Sequence, residues 1–90
     1  MDEATFREAL ARRGGGSPVL VHWAAGYARP LHSHAFEARG LVVSGSFTLL
    51  TAEGSTVLRA GDAFELGAGI PHAESAAEGA SLLVAGLSPR

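Results

Sequence analysis

From Pro18 onward the chain never settles into one long apolar segment. Short runs rich in β-branched and apolar residues alternate with turns marked by glycine, proline or aspartate. Runs of about four to eight residues between turn signals read as strands rather than helices. They fall at residues 18–24, around the His32-Ser33-His34 triplet, and at 41–44, 46–52, 55–59, 63–66, 72–76 and 81–87. Pro18 opens the first run, where its missing N–H costs least. Ser44-Gly45, Glu53-Gly54, residues 60–62, the Gly67–Pro71 loop and Glu78-Gly79 mark the later turns. About eight short, closely spaced strands predict an all-β domain, a sandwich or barrel of the jelly-roll kind.

Only the N-terminus departs from this pattern. Residues 2–13 predict a helix: Phe6 and Leu10 stand four apart with Ala9 beside them, forming one apolar stripe. Asp2 and Glu3 suit its positive N-terminal end, Arg12 and Arg13 its negative C-terminal end, and Gly14-Gly15-Gly16 stops it. Such a helix is expected to cover one end of a barrel. The domain organisation is thus residues 1–17, helix and Gly-rich linker, followed by a β-barrel over 18–87, with 14–17 and 88–90 as loose ends.

Ninety residues make one small domain. A chain of that size buries only roughly 60% of the surface its unfolded form exposes, so a homodimer is expected. The apolar Leu41-Val42-Val43 points the same way, since a strand apolar on both faces needs cover on both. The formal charge of −2, with no basic cluster beyond Arg12-Arg13, leaves no footprint for nucleic acid. Having no cysteine, the chain has no disulfide, thiolate metal site or Cys nucleophile. No uncharged apolar run approaches the ~20 residues that span a bilayer, so no membrane partner is expected. The acidic start MDEATFREAL is unlike a signal peptide, and a cytoplasmic location is the expectation.

His32 and His34 stand two apart, and on a strand residues i and i+2 share a face. Two imidazoles aimed at one point are the beginning of a metal site. Around them run Gly26, five residues, His32-Ser33-His34 and, further on, Gly45. A second segment runs Gly61, five residues, Gly67-Ala68-Gly69, Ile70-Pro71 and His72. Together the two segments resemble the paired motifs of the cupin superfamily, with Gly67 where that family usually has proline. The resemblance covers about residues 18 to 87.

It implies a cupin-type jelly-roll β-barrel holding a divalent transition metal (Zn, Fe, Mn or Ni), with His32, His34 and His72 as ligands. The family also places a Glu, Gln or His after the second histidine, with three or four residues in between. Here those positions are Ala38 and Arg39. Glu37, one residue early, is the fourth-ligand candidate if a bulge near Ala35-Phe36 turns it inward. On strict alternation it points outward beside Arg39. Glu74, two residues beyond His72, is a further candidate, as an acceptor for a ring N–H or a base. His22, outside both motifs, reads as a structural or surface histidine.

Phe36, Phe47, Phe64, Leu49 and Leu66 are expected to fill the barrel, with the aromatics near His34 able to shape a pocket. Trp23 and Tyr27 are interface or pocket-rim candidates. The implied function is metal-dependent chemistry on a small molecule, of the dioxygenase or isomerase type. The alternatives are a non-enzymatic module that binds or senses a small ligand or metal, and a remnant whose histidines bind nothing. Arg29 and Arg39 are the arginines near the site, and neither is clearly aimed into the barrel.

Overall fold

The computed structural model describes residues 1–88; Pro89 and Arg90, in the expected loose C-terminal end, lie outside the described residues. One helix, α1 (Glu3–Arg12), precedes seven strands: β1 (Val19–Trp23), β2 (Tyr27–His32), β3 (Glu37–Thr51), β4 (Gly54–Arg59), β5 (Ala63–Leu66), β6 (His72–Ala76) and β7 (Ala80–Leu87). All pairings are antiparallel. They form two sheets in the orders β1-β7-β3-β5 and β2-β6-β3-β4, with β3 common to both. This is the jelly-roll arrangement expected from the strand pattern.

The two runs at 41–44 and 46–52 are a single strand, not two strands joined by a turn. The register of β3 against β7 shifts between Val42 and Ser44, where β3 passes from one sheet to the other. Gly45 makes this possible with φ +78°, and a Cβ there would collide with the Gly79 carbonyl oxygen. An extra residue in one strand also reverses which side chains face in. Val42 points to the core before the shift, Phe47 and Leu49 after it. Those three pack with Leu58, Leu66, Ala76, Ala80 and Leu82 between the sheets.

Helix α1 begins at Asp2, whose carboxylate accepts from the Thr5 N–H at 2.8 Å. It ends with Gly14 at φ +74°, where the Gly15 N–H bonds the Leu10 carbonyl and the Gly14 N–H that of Ala11, closing a Schellman motif. The helix lies on the outer face of the first sheet rather than over a barrel end. There Phe6 and Leu10 bury themselves against Leu41, Leu83 and Leu87. The outer side of Leu41 is therefore met by the chain's own helix, and the two-sided apolar strand needs no second subunit to account for it. No helix among the described residues is long and apolar enough to cross a membrane.

Candidate metal centre

Three imidazoles meet at one end of the second sheet. Strand β2 pairs with β6 until Arg29, opposite Glu74; the register then shifts, and His32 comes to lie opposite His72. The bulge falls at Pro30-Leu31, where a residue without an N–H is tolerated. His34 lies beyond the end of β2, in the loop leading to β3, not on the strand that its spacing suggests. Its carbonyl accepts from the Gly69 N–H at 2.7 Å, tying this loop to the Gly67–Pro71 loop that precedes His72. Ring centroids are 4.2 Å apart for His32 and His72 and 4.9 Å from His34 to each. One ring nitrogen from each of the three lies within 4.8 Å of the others.

Backbone carbonyls set which nitrogen faces the centre. His32 Nδ1 donates to Pro30 O at 2.8 Å and His72 Nδ1 to Ile70 O at 3.0 Å. A carbonyl can only accept, so Nδ1 holds the proton and Nε2 keeps its lone pair in the neutral ring. Metal-ligating histidines are oriented in this way. His32 Nε2 is buried without a hydrogen-bond partner, an arrangement that costs about 1–3 kcal/mol if nothing satisfies it. Burial first, and then His72, His32 and Arg29, hold the His34 imidazole below its ordinary value although Glu74 opposes them. His34 therefore favours the neutral form that binds metals. Three converging imidazoles with a buried, unpartnered nitrogen among them fit a transition-metal ion such as Zn, Fe, Mn or Ni.

Beside the cluster opens a cavity of about 440 Å³. Trp23, Phe36, Phe64, Leu66 and Val84 line its apolar side, with His34, His72, Glu74, Arg29 and Arg39 as polar groups. Phe36 is not core: it stacks on His34 with centroids 4.7 Å apart and stays 43% exposed. Phe47, by contrast, is fully buried. Trp23 stacks on Tyr27 at 4.3 Å and borders the same cavity.

The family model for the cupin domain matches residues 19–86. The chain is a cupin. Among solved structures, this cupin is similar to a protein of unknown function from Streptococcus pyogenes (24% identity, TM-score 0.72, 79% of this chain covered). A second is an RmlC-like cupin from Shewanella frigidimarina (25% identity, TM-score 0.67, 78% covered). A third is a DMSP lyase from Ruegeria pomeroyi (26% identity, TM-score 0.68, 74% covered). The chain spans 62%, 65% and 35% of the lengths of these three proteins, respectively. No curated protein sequence matches it.

The cupin's two candidate carboxylates part company. Glu37 does not stand with the histidines. Its oxygens accept from Arg13 at 2.8 and 3.1 Å and from Arg39 at 2.7 Å, where the end of α1 meets β3. These hydrogen bonds, Arg13's first, lower its pKa to about 2. Ala35 and Phe36, where a bulge would have turned Glu37 inward, lie in the loop between β2 and β3. Glu74 instead faces the cluster, with Oε1 3.2 Å from His32 Nε2 and 3.9 Å from His72 Nε2. His22 is exposed and hydrogen-bonded to Ser81 Oγ, apart from the site.

Arg29 borders the cavity and makes no ion pair among the described residues, although alternation counted back from His32 turns it outward. The Pro30-Leu31 bulge reverses that count, and a proline inside a strand was the signal for it.

Proposed function

We propose that this cupin holds a divalent transition metal at His32, His34 and His72 and uses the adjoining cavity to bind or act on a small molecule. The observation that carries this reading is the buried, unpartnered Nε2 of His32, turned toward two other imidazoles. When bound, the ion supplies Lewis-acid or redox chemistry according to its identity. The chain's own residues do the rest. Pro30 O and Ile70 O orient two of the rings. Trp23, Phe36, Phe64, Leu66 and Val84 take an apolar body and keep water from it. Arg29 offers a cation to an anionic group of the ligand.

Catalysis draws support from the DMSP lyase, an enzyme by name on a similar barrel. Binding without turnover draws support from the cavity wall. Glu74 is its one carboxylate among the described residues, so an acid or base separate from the metal cluster is lacking. On grounds of size, the cupin is also proposed to work as a homodimer.

Metal analysis of protein purified without added metal is expected to find about one equivalent per chain. Added Zn²⁺ should raise Tm, since an ion at 100 times its Kd stabilises by about 2.7 kcal/mol. His72→Ala should abolish the rise; a rise that persists removes His72 from the site. Incubating the metal-loaded protein with a panel of small carboxylates then separates the two branches. Product formation or oxygen uptake marks an enzyme, and saturable binding alone marks a binding module.

A further inference from the structure

A ring nitrogen and a carboxylate oxygen face each other at close range in this site. His32 Nε2 and Glu74 Oε1 are 3.2 Å apart, and both side chains are largely buried, 17% and 11% exposed. The His32 proton is committed to Pro30 O through Nδ1. Nε2 makes no hydrogen bond despite the nearby oxygen, so Oε1 sits off the line along which a ring N–H would point. A carboxylate oxygen this close to a ring nitrogen that makes no hydrogen bond to it is placed to share a cation with that nitrogen. An off-axis separation of this size is what two donors of one ion adopt. Donors bound at about 2.0–2.2 Å on adjacent corners of a tetrahedron or octahedron stand about 2.8–3.6 Å apart. The same oxygen lies 3.9 Å from His72 Nε2.

We infer that Glu74 is the fourth protein ligand of the metal. The inference rests on the three-histidine reading above and names the carboxylate that completes it. The first motif lacks this ligand, and Glu37 is taken by Arg13 and Arg39. The second motif supplies it instead. Residues two apart on β6 share a face, and Glu74 follows His72 by two. The site then holds three imidazoles and one carboxylate on an ion with room for a small molecule from the cavity. Such a donor set suits a harder ion than three imidazoles alone do.

Co²⁺ serves as the probe, titrated into the metal-free chain and read by its visible absorption bands. Glu74→Gln keeps the shape of the side chain and removes its charge. It is expected to weaken Co²⁺ binding at least ~10-fold, the scale on which loss of even an outer-shell partner is felt, and to change the band pattern. Glu37→Gln should match the wild type in both. Metal-induced infrared difference spectra of the wild type should show a carboxylate stretch that moves on loading. This measurement stands even if the Gln variant does not fold. Unchanged affinity and bands in Glu74→Gln, or no moving carboxylate band in the wild type, overturn Glu74 and leave the histidine site intact. A wild-type chain that takes up no Co²⁺ overturns the histidine site as well.

Discussion

The two sheets of this cupin share β3 yet finish their outer faces in opposite ways. The first is roofed by α1, with Phe6 and Leu10 sealed against Leu41, Leu83 and Leu87. Its edge is pinned where Arg13 and Arg39 grip Glu37. The second has no roof. By alternation from Phe47 and Leu49, its outer side shows Thr48, Leu50, Ser55, Val57, Ala73, Ser75 and Ala28, with Arg59, opposite Ser46, as the one charge among these strand positions. Leu50 and Val57 are 44% and 48% exposed there. Yet this second sheet supplies His32, His72 and Glu74. The metal-binding side chains gather on the second sheet, while the first adds Trp23, Phe64, Leu66 and Val84 to the cavity wall. The two carboxylates follow the division: Glu37 serves as a strut, Glu74 stays beside the imidazoles.

The division breaks if damage to the roof disturbs the site. Phe6→Ala is expected to cost about 3–5 kcal/mol, the price of emptying an aromatic's place in a packed layer. Denaturant unfolding measures that loss. Below the new midpoint, Co²⁺ affinity should equal the wild type's, and a tenfold drop would show the halves to be coupled.

The strut gives a smaller, pH-dependent effect. With Glu37 at about 2 in the fold and near 4.5 unfolded, its contribution is fully present above about pH 4.5 and is lost as pH falls toward 2. The Tm gap between wild type and Glu37→Gln should therefore be widest near pH 6 and shrink on acidification. A gap independent of pH would mean the carboxylate is not ionised against the two arginines.

The smallest change in folding stability belongs to the bare face, where Leu50→Lys should stay within about 0.5 kcal/mol. Its reading is the mass in solution at micromolar concentration. A homodimer seated on this face would fall to the monomer in the variant. A monomeric wild type ends the homodimer proposal.

Much of this was written in the order of residues. The spacing Gly26–His32–His34 and Gly61–His72 located the three imidazoles, and the turn residues located most strand ends, because both depend on neighbours in sequence. What escaped was phase. Inserted residues at Pro30-Leu31 and at Val43 each reverse the inward face, so counting by twos misassigns Arg29, and the turn-like Ser44-Gly45 hides a bend within one strand. Glu37 escaped for another reason. Its fate is decided by Arg13, 24 residues away on the helix, and no local pattern announces such a partner. Phe36 looked like core and is pocket wall, since the end of β2 at His32 places it in a loop.

Because β3 is an interior member of both layers, no cut separates this barrel into parts that could melt alone. Loosening either layer strips the other of its middle strand. Amide hydrogens along Leu41–Leu49 should then exchange only through complete opening, at a rate shared across the bend at Gly45. A protein of this size thus gains all-or-none behaviour from one strand that belongs to two layers.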